Sequence, residues 1–127
     1  MGLSEIKKVY EKDTETSETK YYRGSLRSGQ KIEFEGSLVI MGDVNAGSEV
    51  IAGDNIVVVG TLRGLAHAGA KGNKNAIIAA NSIESAQIRI ADIVKEMERP
   101  EEREEEQEEE ITIKKKAFVK DNEIILE

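Results

Sequence analysis

The chain has 127 residues, no cysteine, 4% aromatic residues and a formal net charge of −7. The lack of cysteine excludes disulfides and thiolate chemistry, and the low aromatic content predicts a core of aliphatic side chains. Residues 101–110 hold eight glutamates and one arginine, so the rest of the chain balances at 17 basic against 17 acidic residues. This balance argues against nucleic-acid binding through a broad basic surface.

The sequence contains no segment that predicts a membrane span or a secretory signal. No run of 18 apolar residues occurs, and residues 1–8 lack the apolar stretch of a signal peptide. From these features we expect a soluble cytoplasmic protein.

A motif repeats between Arg23 and Ile90, and Gly24, Gly42 and Gly60 open its copies 18 residues apart. The apolar positions form three columns: Leu26, Val44, Leu62 and Ile83; Ile32, Val50 and Ala68; and Leu38, Ile56 and Ile77. Helical repeats need about 33 to 47 residues, and each interior glycine costs a helix about 1 kcal/mol. Eighteen residues instead divide into three short strands joined by corners that favour glycine. The repeat therefore predicts a mainly β fold, a triangular parallel β-helix with about 18 residues per turn.

The composition divides the chain into four parts. Residues 1–22 are charged and aperiodic, and they predict a linker or lead-in of the kind that follows another domain. Residues 23–100 are expected to form the β-helix domain, residues 101–110 an acidic tether, and residues 111–127 C-terminal strands. A docking tail for a basic partner is the alternative role for the acidic run.

Local patterns predict how the coil varies and ends. The apolar residues after the repeat follow the spacing of an amphipathic helix, which would cap the open end: Ile90, Ile93, Val94 and Met97. Asp121-Asn122 tolerates the left-handed backbone of a tight turn, so we expect a terminal hairpin. The extra residues of the third turn are expected in an exposed loop at Ala70–Asn75.

Strand alternation sends every second residue of one segment outward in each turn. These outward residues are apolar: Val39, Met41, Val57, Val59 and Ile78. Burying them in a pair of chains contributes roughly 15–30 kcal/mol as an upper estimate, whereas association costs roughly 4–15 kcal/mol. The pattern therefore predicts a two-fold homodimer. Coverage by the terminal hairpin within one chain is the alternative.

The sequence offers little that resembles a catalytic or metal site. His67 is the only histidine, and a lone histidine at a corner is more often structural than a catalytic base. No pair of histidines could share a metal, and no phosphate-binding glycine loop occurs. We expect a protein that is not an enzyme and that uses neither a cofactor nor a metal.

One polar cluster, Arg27-Ser28-Gly29-Gln30, interrupts the apolar columns in the first turn. A guanidinium, a hydroxyl and an amide around a glycine favour directed hydrogen bonds to carboxylates or backbone groups of a partner. A polar corner without a partner is equally compatible with these residues.

Three ordered motifs resemble the C-terminal domain of the MinC family, the bacterial septum site-determining proteins. They are Arg-Ser-Gly-Gln-Lys-Ile at residues 27–32, Gly-Asp-Val-Asn-Ala-Gly-Ser-Glu-Val-Ile-Ala at residues 42–52, and Leu-Arg-Gly-Leu-Ala-His-Ala-Gly-Ala at residues 62–70. The likeness covers about residues 23–94, and residues 117–127 resemble the end of many members. It implies a right-handed β-helix that dimerises side by side in an inhibitor of FtsZ assembly. It also implies recruitment to the inner face of the membrane by the ATPase MinD.

The resemblance further implies site residues. The Arg-Ser-Gly-Gln motif of the family binds MinD, which carries this role to Arg27, Ser28, Gly29 and Gln30. Other family positions that match are further candidates for partner binding: Gly47, Arg63 and Gly64.

The chain departs from the family pattern in two places. Many members have Asp-Gly where this chain has Gly53-Asp54, and many have arginine at Leu65, which puts an FtsZ contact through that side chain in doubt. Residues 1–22 hold no counterpart of the family's N-terminal FtsZ-inhibiting domain. We therefore expect binding to ATP-loaded MinD, dimerisation, weak or indirect action on FtsZ, and membrane contact only through MinD. A bactofilin-like filament and a hexapeptide-repeat acyltransferase are the alternatives.

Overall fold

The computed structural model describes residues 18–97 and 113–127, and these residues form eleven strands and no helix. The strands are β1 (Thr19–Arg23), β2 (Lys31–Phe34), β3 (Ser37–Met41), β4 (Glu49–Ala52), β5 (Ile56–Leu62), β6 (Leu65–Ala68), β7 (Ile78–Ile83), β8 (Gln87–Ile90), β9 (Ile93–Glu96), β10 (Lys115–Lys120) and β11 (Glu123–Leu126). The acidic residues 101–110, expected to form a tether, lie outside the described residues. Within the two described ranges, no helix has the length and hydropathy required to cross a membrane.

The strands build a triangular coil of about four turns. β1, β3, β5 and β7 pair in parallel as one side, sheet A, and β2, β4, β6 and β8 pair in parallel as a second side, sheet B. The third side is narrower, and single bridges between Leu26, Val44 and Leu62 join its turns. The predicted parallel β-helix is confirmed. Its first turns keep the 18-residue step, as in the pairing of Lys31 with Glu49.

Side chains at the corners tie each turn to the next. The Asp43 amide donates to Ser25 Oγ at 2.9 Å, and the Thr61 amide donates to Asp43 Oδ1 at 2.8 Å. At the corner between sheets B and A, the Asn55 amide donates to Ser37 Oγ at 3.1 Å. The Asp43 and Asn55 amides lie between strands, and Thr61 lies at a register shift within β5, so short polar side chains supply the acceptors that these backbone amides require.

The third turn departs from the regular step at its first corner. Leu62 pairs with Val44, and Ala66 pairs with Val50. The segment from Leu62 to Ala66 is therefore two residues shorter than the equivalent segment from Val44 to Val50. Because Val50 pairs with Ala66, the predicted alignment with Ala68 is wrong.

A longer loop compensates later in the same turn. Residues 69–77 leave the strand ladder, which confirms the exposed insertion predicted at residues 70–75. This loop brings Ile78, rather than Ile77, into register with Ile56. Ile78 is fully buried, so its predicted outward position is wrong, and Ile77 and Ala79 point outward on either side of it.

The capping helix predicted to run from Ile90 to near Pro100 is wrong, because Ile90 and residues 93–96 lie in strands. β8 and β9 form an antiparallel hairpin at the edge of sheet B, with Ile90 paired to Ile93 across Ala91 and Asp92. Ala91 has φ of 56°, as the first residue of a two-residue hairpin turn requires. Ile90 and Ile93 both pack on the core, so a tight turn creates the spacing that resembles a helix. The hairpin satisfies the backbone of an open sheet edge, which a helix would leave unpaired.

β1 lies within the segment expected to be a lead-in, and residues 1–17 of that segment lie outside the described residues. β1 pairs in parallel with β3, which places Tyr21 beside Val39 and Tyr22 beside Ile40. Tyr22 is partly buried against the core. Aromatic and charged residues take the places of the aliphatic columns in β1, so the repeat is not visible there in the sequence.

The predicted terminal hairpin is confirmed, and it extends sheet A. β10 pairs antiparallel with β7 and with β11, and the turn residues Asp121 and Asn122 have φ of 53° and 61°. Strands of one sheet lie side by side, so the hairpin stands beside the outer surface of the sheet rather than over it. The alternative in which this hairpin buries the outward apolar residues is therefore wrong.

The outer face of sheet A carries large apolar side chains across the whole sheet. They are Tyr21, Val39, Met41, Val57, Val59, Ile77, Phe118 and Ile125, and charged residues on the same face border them: Arg23, Lys116 and Lys120. Tyr21 is 66% exposed and Met41 is 45% exposed, whereas most of the others are half-buried. An apolar surface that runs across a whole sheet is typical of an interaction site.

Candidate functional site

The Arg27-Ser28-Gly29-Gln30 segment forms a tight turn at the corner between the third side and sheet B. The Gln30 amide donates to the Arg27 carbonyl oxygen at 2.9 Å, and the Arg27 amide donates to Gln30 Oε1 at 2.7 Å. Gly29 has φ of 87°, and its amide donates to the Gly47 carbonyl oxygen at 2.9 Å in the next turn. The segment is thus closed on itself and attached to the coil, while all four of its residues are exposed.

The corner of the second turn supports this segment. A Cβ atom on Gly47 would overlap Ser28 Oγ, so the serine packs directly against the glycine backbone. Two groups of Asn45 donate hydrogen bonds to the Leu26 carbonyl oxygen: the backbone N–H at 3.1 Å and the side-chain Nδ2 at 2.8 Å. Gly47 was predicted from the sequence as a candidate, whereas Asn45 was not. Asn45 lies 18 residues after Arg27, which is one step of the repeat, so the repeat would have identified it as the equivalent of Arg27 in the next turn.

The remaining candidates, Arg63 and Gly64, lie in the third turn, about 10 Å from the motif by two strand spacings. A Cβ atom on Gly64 would lie 2.5 Å from the Ser48 carbonyl oxygen, so the Gly64 backbone packs closely against the corner of the second turn. The buried Ser85 hydroxyl donates to the Gly64 carbonyl oxygen at 2.6 Å. Arg63 is exposed and forms an ion pair with Glu84 at 3.5 Å. The structure therefore places Gly64 as a support, whereas Arg63 faces solvent.

Replacing Gly47 by alanine is expected to displace the motif. The new Cβ must push Ser28 away, and alanine is strained at φ of 84°, so we expect the free energy of unfolding to fall by about 2–3 kcal/mol. Gly29→Ala is the matched control, because Gly29 has φ of 87° but no atom within 4 Å of an added Cβ. Its expected loss is about 1 kcal/mol. Urea unfolding measures both, and equal losses would contradict the importance of the Ser28 contact.

His67 has a structural contact rather than a catalytic setting. Its Nε2 donates to the Ala91 carbonyl oxygen at 2.7 Å, and the ring is half-buried. The side chain therefore joins β6 to the turn between β8 and β9. In residues 18–97 and 113–127, no group of three histidine, aspartate or glutamate side chains stands close enough to hold a metal ion.

A profile of the family described as "Septum formation inhibitor MinC, C-terminal domain" matches residues 20–127. The chain belongs to the MinC family. The match begins in β1 and includes both terminal strands, so the resemblance seen in the sequence motifs is confirmed over most of the chain. By its description the MinC family regulates septum formation and is not named for any catalytic activity.

Curated relatives carry the same name. The probable septum site-determining protein MinC of Acetivibrio thermocellus is 42% identical over 118 residues, which are 93% of this chain and 50% of the relative. The MinC protein of Caldanaerobacter subterraneus is 48% identical over 108 residues, which are 85% of this chain and 47% of the relative. This MinC domain therefore spans about half the length of the curated relatives that it matches.

A solved structure also shares the fold. A chain in the MinC:MinD cell division protein complex of Aquifex aeolicus superposes on this MinC domain with a TM-score of 0.76 and 34% sequence identity. The superposition covers 87% of this chain and 86% of that chain.

Proposed function

We propose that this MinC domain is a non-enzymatic adaptor of a division inhibitor. It binds the ATPase MinD, loaded with ATP, through the Arg27–Gln30 turn, and it pairs with a second copy through the outer face of sheet A. The observation that carries the proposal is the turn itself, which presents a guanidinium and a hydroxyl on a backbone fixed by two reciprocal hydrogen bonds. The solved relative with this fold is named as part of a complex with MinD, which supports the choice of partner.

The chemistry of the turn fits a protein partner. Arg27 offers several donors in a planar fork, which suits a carboxylate or a pair of carbonyl oxygens. Ser28 adds a hydroxyl beside it. Gly29 has no atom within 4 Å of the place of a Cβ, so a partner backbone could approach it closely. Because the coil already orders the turn, binding loses little conformational entropy.

Pairing through the outer face of sheet A would make the adaptor bivalent. In a triangular coil, the corner between the third side and sheet B is the vertex opposite sheet A. Two copies that pair through sheet A would therefore point their Arg27–Gln30 turns in opposite directions, and each turn could take one MinD molecule. Two linked sites raise the apparent affinity for a surface that displays many copies of the partner.

In the cell, this arrangement would bring the inhibitor to the inner face of the membrane wherever MinD is bound. Any action on FtsZ by the domain alone is expected to be weak or indirect. Leu65 is 47% exposed, and it offers a partner no charge at the position where the resemblance to the family implies arginine.

Arg27→Ala is expected to weaken binding to ATP-loaded MinD by at least about 2 kcal/mol, or roughly 30-fold, because the partner group is left without its charged donor. Lys31→Ala is the matched control, since Lys31 is an exposed cation at the start of β2, outside the turn, 3.8 Å from Glu33. Isothermal titration with ATP-loaded and ADP-loaded MinD measures both variants. Parent-like binding by Arg27→Ala would refute the site, and an equal loss in Lys31→Ala would reduce it to nonspecific positive charge.

A further inference from the structure

The backbone amide of Arg27 occupies a position that has a regular acceptor in later turns. In the second turn the equivalent amide, that of Asn45, donates to the Leu26 carbonyl oxygen at 3.1 Å. In the third turn the Arg63 amide donates to the Val44 carbonyl oxygen at 2.7 Å. Each acceptor belongs to the preceding turn, so this bond is part of how one turn stacks on another.

Arg27 lies in the first turn. The described residues before it begin at Glu18 and include no strand on the third side that could supply this acceptor. The acceptor is supplied by a side chain instead: Gln30 Oε1 receives the Arg27 amide at 2.7 Å. A carboxamide that faces an N–H donor must present its oxygen, so the orientation of the Gln30 side chain follows from the chemistry. Gln30 thus stands in for the carbonyl oxygen of a preceding turn.

The corresponding residue one turn later shows why a glutamine is needed only here. Ser48 follows Gln30 by 18 positions, is buried, and donates its hydroxyl to the Asn45 carbonyl oxygen at 2.5 Å. No long acceptor is required at Ser48, because the Leu26 carbonyl oxygen already receives the Asn45 amide.

We infer that Gln30 is a positioning residue of the partner-binding turn, and that the direct contacts to the partner come from Arg27 and Ser28. This inference rests on the proposed function, and it changes the role of one motif residue from contact to support. Because the hydrogen bond to Gln30 fixes the backbone at Arg27, the guanidinium loses less conformational entropy when it binds the partner. Loss of the Gln30 acceptor should therefore weaken binding although Gln30 itself need not touch the partner.

Two substitutions at Gln30 separate support from contact. Gln30→Glu keeps an acceptor oxygen but loses the NH2 donor, whereas Gln30→Met keeps the length but loses both. We expect Gln30→Glu to bind ATP-loaded MinD within about threefold of the parent, and Gln30→Met to bind about three- to tenfold more weakly, as for one lost hydrogen bond. Amide hydrogen exchange of Arg27 should be faster in Gln30→Met alone, with both melting temperatures close to the parent value.

A double-substitution cycle completes the test. If Gln30 acts through Arg27, adding Gln30→Met to Arg27→Ala should produce no further loss of affinity. Equal weakening in Gln30→Glu and Gln30→Met, with the Arg27 amide still protected, would overturn the inference and make Gln30 a direct contact. Parent-like affinity in Gln30→Met would overturn it as well. Failure of the proposed function is seen separately, as parent-like binding by Arg27→Ala.

Discussion

The Gly53→Ala variant is expected to lose about 3–5 kcal/mol of unfolding free energy and to melt about 15–30 °C below the parent. The added Cβ would overlap the Glu35 carbonyl oxygen of the preceding turn, whereas the φ of Gly53 is not in the left-handed region. The loss therefore comes from contact alone. The Gly53 amide donates to the Phe34 carbonyl oxygen at 3.0 Å, and the Asp54 amide donates to that of Gly36 at 3.1 Å. These bonds fix the spacing of the turns, and the overlap can be relieved only by stretching them.

Two other glycines provide controls for this prediction. A Cβ on Gly36 would overlap the Glu18 carbonyl oxygen, but Glu18 directly precedes β1, which is the edge strand of sheet A among the described strands. Glu18 can therefore move at lower cost, and we expect a loss of about 1–3 kcal/mol. Gly72 has φ of 108° and open space around it, so alanine there should cost about 1 kcal/mol through the backbone alone. Differential scanning calorimetry ranks the three variants. A loss in Gly53→Ala no larger than that in Gly72→Ala would mean that the turns separate freely.

The fold could be predicted because each turn solves the same packing problem with the same residue types. Leu38 and Ile56 stack in register, are fully buried, and stand 18 residues apart in the sequence. A helix cannot maintain such a column through closely spaced glycines, so the period and the glycines together exclude it. Regular turns of this kind can be predicted from the sequence, whereas segments without the repeat cannot.

The third turn shows why the register was harder to predict. A deletion at one corner and a longer loop at the next change the step from 18 residues to 22 between Ile56 and Ile78. Two adjacent isoleucines, Ile77 and Ile78, fit the column equally well by hydrophobicity. A shift of one residue reverses which of them is buried, because side chains alternate along a strand. Only the pairing with β5 decides between them.

The capping helix was wrong for a related reason. The spacing of Ile90, Ile93, Val94 and Met97 suits a helix, but it also suits two short strands that meet at a two-residue turn. A local pattern does not reveal that sheet B presents an unpaired edge at this point. The unpaired N–H and C=O groups of that edge need hydrogen-bond partners, which a hairpin strand supplies.

The candidate site was predictable as a list of residues but not as an arrangement. The polar motif was visible, whereas the division of its residues into contact and support depended on which atoms face one another. Gln30 and Arg27 exchange hydrogen bonds, and Gly47 lies under Ser28. Neither relation can be derived from residue types alone, because both depend on how the first turn lies on the second.

Val57→Asp is expected to convert a dimer of this domain into a monomer. Val57 lies near the centre of the outer face of sheet A, in register with Val39 on one side and Ala79 on the other. Two-fold pairing through this face would bury one new carboxylate from each copy, without a partner for either. An unpaired buried charge costs about 3–5 kcal/mol, which raises the dissociation constant by at least about 10²- to 10³-fold.

Sedimentation equilibrium over a range of concentrations measures the change. The parent should approach twice the 14.0 kDa of one chain, and Val57→Asp should remain at 14.0 kDa. Ile51→Asp is the matched control, since Ile51 is also a half-buried β-branched residue, but it lies in β4 on sheet B. It should leave the mass of the dimer unchanged. Far-ultraviolet circular dichroism confirms that both variants keep their strands.

The same variant separates the two parts of the proposed function. The Arg27–Gln30 turn stands at the vertex opposite sheet A, so a monomeric Val57→Asp domain should bind a single MinD molecule in solution with parent-like affinity. On vesicles that display many MinD molecules, it should bind more weakly than the parent, because only the dimer can engage two at once. A dimer mass for Val57→Asp equal to that of the parent would show that the outer face of sheet A is not the interface. A monomeric parent would contradict the dimer itself, and the Arg27→Ala measurement would then test the turn independently.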